Sequence, residues 1–341
     1  MTRRLRIAIP LVIAASLIAA AFTFPTRFDL GRRSSNDPRV DRLVAGGVPV
    51  VAARAYLQAA DDLPRLRPEC GDIPVELLAG IGSVESNHGR NGGAVADHSG
   101  DVRPRIFGPD TRYGRARGPM QFIEPTWDTY AGRFDVDANE DGREDPQNLF
   151  DATRGTAFYL CDSAARYGGR TLADPEGRTA AVWYYNNSDS YVDLVLLRAR
   201  LIRSAMDTFS QHHDLVRVGD IVVNREIAGS LADLLQAAAR DGVVLSGQGW
   251  RPRAWQVELR RQACGTTHFD IWERPASDCS PPTAIPGRSR HQDGLAIDFN
   301  YNGGPIESRD NDGYRWLATH APDFGLYNLP AEPWHFSTDG H

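Results

Sequence analysis

Four residues near the end of the chain are of the types that a hydrolytic zinc site needs. His291 and Asp298 stand in SRHQDGLAIDFN, and Glu332 and His335 stand in LPAEPWHFS. Catalytic zinc takes three protein ligands and leaves one position open for water, and a base must accept the proton of that water. We therefore predict that the two histidines and Asp298 bind Zn²⁺ and that Glu332 is the base. A ligand set without thiolate is typical of catalytic zinc, because structural zinc is usually rich in cysteine.

The motifs SRHQDGLAID and EPWH resemble the zinc D,D-peptidases of the LAS group, especially the VanY-like D-alanyl-D-alanine carboxypeptidases. The resemblance covers residues 216–341 and includes SGQGWRPRAWQ. It implies an α+β fold of the LAS or hedgehog type. It also implies that Arg251 stabilises the oxyanion and that Ser289 binds substrate or orients its loop. The implied substrate is a peptide bond involving D-alanine, in the stem or the cross-link of peptidoglycan.

A second candidate for chemistry, Glu85, lies far from these motifs in DIPVELLAGIGSVESNHGRNGG. Leu78, Ile81 and Glu85 share one face of a predicted helix, so the carboxyl should emerge beside an apolar stripe near the helix C-terminus. Burial and the negative end of the helix dipole both raise the pKa of a carboxyl. Such a carboxyl can protonate the leaving oxygen of a glycosidic bond. A solvated surface glutamate is the alternative for this residue taken alone.

Three motifs, ES on a helix, GPMQF and YNNSDSY, together resemble the lytic transglycosylases of peptidoglycan, in particular the membrane-bound lytic murein transglycosylase B type. The resemblance covers residues 48–207 and implies a lysozyme-like helical fold with Glu85 as the sole acid and base. The muramic acid's own 6-hydroxyl would attack and leave a 1,6-anhydro end. The implied substrate-binding or site-forming residues are Met120, Gln121, Tyr159, Tyr185, Asn186 and Tyr191.

The segment DVDANEDGREDPQN has the residue types of an EF-hand calcium loop at several of the loop's numbered positions. Asp137, Asn139, Asp141 and Asp145 fall at its first, third, fifth and ninth positions, and a glycine falls at the sixth. Asn148 stands at the twelfth position, where the loop normally has a bidentate glutamate. A structural Ca²⁺ and an Asp-rich turn without an ion are both left open.

The elements that must position these residues change in type along the chain, which predicts a multidomain protein. Residues 48–210 read as mainly α-helical, and residues 216–341 read as short strands around an amphipathic helix, hence α+β. Residues 31–47 read as a linker. The boundary is expected in SQHHDLVRVGD, where the apolar periodicity lapses.

Cysteines and the N-terminus both indicate export. Arginines precede a long apolar run within residues 1–30, which is typical of a cleaved signal peptide or a membrane anchor. We expect disulfides Cys70–Cys161 and Cys264–Cys279, with pairing between the halves as the alternative. We expect the protein outside the cytoplasm, in the cell wall or at the plasma membrane.

The net charge and the motifs together limit the classes of function that fit this sequence. The net charge of −6 provides no broad basic field, so we expect no nucleic-acid partner. Both resemblances point to peptidoglycan, and the sequence predicts an exported bifunctional peptidoglycan hydrolase. The alternatives are a hydrolytic muramidase joined to the peptidase, or a wall-binding protein with inactive sites.

Overall fold

The structure is a computed structural model that describes residues 37–112 and 114–341. The predicted signal or anchor, residues 1–30, lies outside the described residues. None of the helices in the described part combines the length and the apolar composition that a membrane span requires. Two consecutive helices, Pro38–Ala45 and Val50–Leu66, pass that test only as a pair bent by 120°.

The first half of the described chain is mainly helical, as predicted. Its helices are α1 (Pro38–Ala45), α2 (Val50–Leu66), α3 (Val75–Ser86), α4 (Glu124–Ala131), α5 (Leu149–Arg166), α6 (Pro175–Tyr185) and α7 (Asp189–Phe209). Two antiparallel hairpins interrupt them, formed by β1 (Val95–Ala96) with β2 (Val102–Arg103) and by β3 (Phe107–Thr111) with β4 (Gly114–Arg117). Helix α3 packs on α7, and α5 packs on both α2 and α6, so the predicted catalytic helix lies inside the bundle.

The predicted linker is wrong for the residues that form α1. Asp37 caps this helix by accepting a hydrogen bond from the Arg39 amide at 2.9 Å, and Pro38 occupies its first turn, where a missing N–H costs nothing. Val40, Leu43 and Val44 are buried against the other helices. The polar composition of this stretch concealed a short amphipathic helix whose apolar residues lie on one face.

The second half mixes strands and helices. Its elements are β5 (Leu215–Val218), β6 (Ile221–Asn224), α8 (Arg225–Arg240), β7 (Leu245–Gln248), α9 (Arg253–Cys264), α10 (His268–Trp272), α11 (Arg290–Asp293), β8 (Ala296–Tyr301), β9 (Gly304–Pro305), α12 (Asp312–His320), β10 (Tyr327–Asn328) and β11 (His335–Ser337). One antiparallel sheet has the order β10-β11-β8-β7, and β9 also pairs with β8. The predicted strands DIVVN and GVVLSGQGW and the helix between them are confirmed as β6, β7 and α8.

Strand periodicity explains how this sheet presents polar residues. Ile297 and Phe299 of β8 are fully buried in a hydrophobic core, so Asp298 between them points to the opposite face. His335 pairs with Asp298 across the ladder, and Phe336 pairs with Ile297. The two polar side chains therefore share one face of the sheet.

The two halves meet near the predicted boundary, between α7 and β5, but they are not separate bodies. The residues that the structure describes all belong to one compact unit. Leu215, Val222 and Trp250 of the second half belong to the same buried cluster as the helices of the first. Arg217 also pairs with Asp41 at 2.7 Å.

Both predicted disulfides are confirmed. Cys70 is joined to Cys161, which ties the turn after α2 to α5. Cys264 is joined to Cys279, which closes the loop that follows α9. Disulfides of this kind are typical of proteins in oxidising compartments.

Candidate active sites

The three predicted metal ligands converge in the second half of the chain. His291 Nε2 lies 3.1 Å from Asp298 Oδ1 and 3.2 Å from His335 Nδ1, and the last two atoms are 2.8 Å apart. Ligand atoms of a tetrahedral zinc site with metal–ligand distances of about 2.0–2.1 Å lie about 3.3 Å from one another. Two imidazoles and a carboxylate at these separations fit zinc.

Local structure explains how His291 reaches the sheet. It lies on the short helix α11, which ends at Gly294 with φ 71°. A Cβ at Gly294 would lie 2.7 Å from the Asn224 amide, so only glycine fits this turn. The Gly249 carbonyl lies 2.6 Å from His291 Nδ1 and orients the imidazole so that Nε2 faces the other ligands.

The pKa values of the two histidines shift in opposite directions. Burial lowers the pKa of His291, and Asp298 only partly offsets this. Burial is the largest single influence on His335 and opposes its charge, but its hydrogen bonds and the nearby carboxylates, Asp298 above all, together outweigh burial and raise the pKa of His335. Burial alone would raise the pKa of Asp298, yet the adjacent histidines and Arg251 hold it well below its usual range. Asp298 is therefore the fixed negative charge of the cluster.

Arg251 lies behind this carboxylate. Its Nη2 donates to Asp298 Oδ2 at 2.9 Å and its Nη1 to Gln256 Oε1 at 3.2 Å. Gln256 is buried and also donates to the Ala284 carbonyl at 2.7 Å. The structure thus assigns Arg251 an orienting contact with a candidate ligand, in addition to the predicted oxyanion role.

The predicted base, Glu332, stands on the turn that leads into β11. Burial raises the pKa of its carboxyl. The charges of His335, Asp298 and Arg251 are close enough to influence this pKa as well. Ser289 is at the N-terminal cap of α11 and is buried, one residue before the helix that carries His291. Glu332 lies near the candidate zinc ligands and Ser289 lies two residues before His291 in the chain, and the roles of both stay predictions.

Sequence reasoning missed Asn328 of β10. Its side-chain amide donates to the carbonyl of Glu332 and to the carbonyl of His335, both at 2.9 Å. One amide therefore holds the turn that carries the candidate base to the strand that carries a candidate ligand. The only signal in the sequence is its position shortly before EPWH.

The family model described as VanY, D-alanyl-D-alanine carboxypeptidase, matches residues 220–340. These residues form a VanY-like domain. A D-alanyl-D-alanine carboxypeptidase of Enterococcus faecalis is 30% identical over 128 residues, which is 33% of this chain and 47% of the relative. The chain thus spans about half the length of the curated relative it matches.

VanYB in complex with D-alanine-D-alanine is 29% identical, with 36% of this chain and 75% of that chain covered and a TM-score of 0.28. The LdcB LD-carboxypeptidase is 21% identical, with 37% and 68% covered and a TM-score of 0.29. The family model leaves out residues 48–210, so the transglycosylase resemblance rests on their motifs.

Replacing Asn328 by alanine removes the two hydrogen bonds that hold the EPWH turn of the VanY-like domain, so the turn should become more mobile. We expect zinc affinity to fall about 10-fold, at the lower end of the range for residues that support metal ligands. Titration of metal-free protein with Zn²⁺ in the presence of a chromogenic chelator would measure this. Asn187→Ala is the matched control, because Asn187 donates one hydrogen bond to the Trp183 carbonyl at 3.0 Å, far from the zinc ligands in sequence. Equal affinity of the two variants would contradict the positioning role.

Glu85 forms the centre of a second candidate site, in the helical half. It lies one residue before the end of α3, and the Tyr191 hydroxyl donates to its Oε1 at 2.5 Å. Burial raises the pKa of Glu85 to about 7, although the hydrogen bond from Tyr191 acts in the opposite direction. The predicted direction of the pKa shift is therefore confirmed. The Ser188 side chain caps α7 and accepts from the Tyr191 amide at 3.4 Å, which fixes the start of the helix that carries Tyr191.

The motifs of the helical half are joined by hydrogen bonds. The Tyr185 hydroxyl donates to the Met120 carbonyl at 2.6 Å, and the Tyr159 hydroxyl donates to the Tyr184 carbonyl at 2.7 Å. Ser86, next to Glu85, is fully buried and donates to the Pro119 carbonyl at 2.6 Å. Sequence reasoning gave Ser86 no role, although it connects α3 to the GPMQF loop.

The structure corrects one sugar-binding prediction and locates two others. The Met120 side chain is fully buried in the core, because the loop turns it inward, so it does not line a sugar site. Gln121 is partly accessible, has φ 52°, and donates to the Gly118 carbonyl at 2.7 Å. Asn186 is exposed at the C-terminal cap of α6.

The Asp-rich segment forms a turn stabilised by its own backbone. Asp137 accepts hydrogen bonds from the amides of Asp141 and Gly142 at 3.1 and 2.8 Å. Asn139 Oδ1 accepts from the Asp141 amide at 3.3 Å, and Asp145 Oδ1 accepts from an amide two residues later at 2.9 Å. Among the residues that the structure describes, these side chains form no group of converging metal ligands. Binding of Ca²⁺ at this turn stays a prediction.

Proposed function

We propose that the VanY-like domain hydrolyses a D-alanine-containing peptide bond in the peptidoglycan stem or cross-link. The observation that carries the proposal is the convergence of His291, Asp298 and His335 within 3.2 Å of one another. The family match over residues 220–340 supports the substrate class. A wall substrate requires an exported protein, and the two disulfides support that location.

His291, Asp298 and His335 would hold the zinc ion, which supplies Lewis acidity to the reaction when bound. The Glu332 carboxylate would accept a proton from the attacking water and pass it to the leaving amine. Arg251 would contribute positive charge as negative charge grows on the scissile carbonyl oxygen. Its hydrogen bond to Asp298 keeps the guanidinium beside the reacting groups.

The direct test is release of D-alanine by the purified, zinc-supplied chain from a stem pentapeptide that ends in D-Ala-D-Ala. We expect release that stops when a chelator removes the metal and returns when zinc is added. A cross-linked muropeptide, assayed in parallel, would separate a carboxypeptidase from an endopeptidase. If zinc-supplied protein cuts neither substrate, the peptidase proposal fails.

We also propose a second activity, cleavage of the glycan strand by the helical half with Glu85 as acid and base. A carboxyl with a pKa of about 7 is protonated often enough near neutral pH to donate to a leaving oxygen. Among the described residues, no second carboxylate contributes to this shift, which suits a mechanism with one carboxyl. The proposed product is a 1,6-anhydro end formed by the muramic acid 6-hydroxyl.

Mass analysis of digested sacculi tests this second proposal. Anhydro ends would support the transglycosylase, and reducing ends would identify a hydrolytic muramidase instead. Protein that binds sacculi and releases neither glycan nor peptide would be a wall-binding protein with inactive sites.

A further inference from the structure

A cavity of about 290 Å³ lies where the two halves of the compact unit meet. Its walls come from the turn between α1 and α2, the end of α3, the middle of α7, the hairpin of β5 and β6, and the segment that joins β7 to α9. The volume is near the lower limit of typical ligand pockets, which suits a molecule of one or two amino acids.

This cavity is distinct from both candidate active sites. Ser83, Asn87 and Arg90 line it, whereas Glu85 does not. Successive helix residues are rotated by about 100°, so residues two positions from Glu85 face away from it. None of the three candidate zinc ligands lines the cavity, which shares Gly249 and Arg251 with the surroundings of the peptidase site.

Two guanidinium groups give the cavity an excess of positive charge. Arg90 is partly buried and donates only to neutral acceptors, the Asn87 carbonyl and side-chain oxygen at 3.0 Å and the Gly47 carbonyl at 3.4 Å. Burial lowers the pKa of Arg90, although the charge of Asp220 partly offsets this. Arg198 lies over the Trp255 ring, 5.4 Å from its centroid. Among residues 37–112 and 114–341, no carboxylate forms an ion pair with either guanidinium.

A partly buried guanidinium without a carboxylate in ion-pair contact is costly, and an anion bound beside it reduces that cost. Arginine forms bidentate hydrogen bonds that match a carboxylate. The anion favoured by these walls is therefore small and planar.

The other residues that line the cavity favour an amino acid over a simple anion as its ligand. Asp220 is exposed at the cavity, and its Oδ1 accepts from the Val50 amide at 2.8 Å, which holds the carboxylate in place. It can accept an ammonium group. Trp250 and Trp255 add aromatic surface for an apolar side chain. Opposite charges and an apolar wall together match a zwitterion.

We propose that this interdomain cavity binds a free amino acid or dipeptide, with its carboxylate at Arg90 and Arg198 and its ammonium at Asp220. The identification of that ligand with the alanine released by the VanY-like domain rests on the proposed function. Contact with Arg251 places the bound product next to a residue of the peptidase site.

Calorimetric titration of the full, zinc-loaded chain with D-alanine tests the proposal. We expect saturable binding that weakens roughly 10-fold or more in Arg198→Gln and in Arg90→Gln, because each loses a charge-assisted hydrogen bond. Arg200→Gln is the control, since Arg200 is an exposed arginine on the same helix and does not line the cavity. Using two cavity variants protects the test against misfolding of either one.

Two further probes define the class of ligand. Acetate lacks the ammonium group and alanine amide lacks the carboxylate, so both should bind at least 10-fold more weakly than D-alanine. Acetate binding as tight as D-alanine would overturn the amino-acid assignment in favour of a simple anion site. Absence of saturable D-alanine binding, or equal binding by all three arginine variants, would overturn the site itself.

Failure of this inference is distinguishable from failure of the proposed function. Release of D-alanine from the pentapeptide without binding in the cavity would remove the cavity site and leave the peptidase in place. Arginine-dependent binding without any peptide hydrolysis would retain the site and remove the peptidase as its source of ligand.

Discussion

Replacement of Glu332 by glutamine is expected to lower the rate of D-alanine release by about 10²–10⁴-fold, which is the usual contribution of a general base. Glutamine has nearly the same shape but cannot accept the proton. The zinc ligands are untouched, so zinc content measured by atomic absorption should stay at the wild-type level. Steady-state release of D-alanine from the pentapeptide is the measurement.

Glu307→Gln is the matched control for this result. Glu307 is exposed in the same half of the chain, and the substitution makes the same change of charge. Wild-type rates are expected for this variant. Undiminished release by Glu332→Gln, with zinc bound, would exclude Glu332 as the base.

Replacement of Glu85 by glutamine is expected to abolish glycan cleavage, with a loss of about 10²–10⁴-fold, while peptide cleavage continues. In the wild type, glycan cleavage should decline as the pH rises through about 7, because the carboxyl then loses the proton it must donate. Anhydro-muropeptide yields from sacculi, measured across this range, give the profile. Glu144→Gln, at an exposed glutamate of the helical half, should behave as wild type.

The same substitution has a consequence for stability. The pKa of Glu85 is about 7 in the folded chain, above its ordinary value of 4.5. The stabilisation from the protonated carboxyl is fully present below about pH 4.5 and is lost as the pH rises through about 7. Glu85→Gln should therefore raise the Tm relative to wild type at about pH 8 and not at about pH 4. A Tm difference independent of pH would show that burial does not raise this pKa.

The two variants together test whether the sites act separately. Although the halves share a core, Glu85 and Glu332 lie in different clusters of hydrogen bonds. Each variant should lose one activity and retain the other. Loss of both activities in either variant would mean that the shared core couples the two reactions.

The sequence was sufficient to predict which side chains could react, because this depends on residue types and on their spacing within short motifs. The ligand set formed by His291, Asp298 and His335 follows from what zinc requires, and the structure brings the three side chains together. The alternation in β8 places Asp298 opposite its buried neighbours. Both disulfides and the raised pKa of Glu85 also agreed with expectation.

Tertiary structure alone decided features that depend on contacts between distant segments. Residues 38–45 looked like linker because their apolar positions are few, and they became a helix because α7 and the second half cover them. Met120 is buried rather than sugar-facing because the positive φ of its neighbour and a hydrogen bond from Tyr185 fix the loop. Asn328 and the cavity between the halves had no motif, since each exists only where separate segments meet. Residue type and spacing thus determined which groups could react, whereas packing between segments determined which of them are held together.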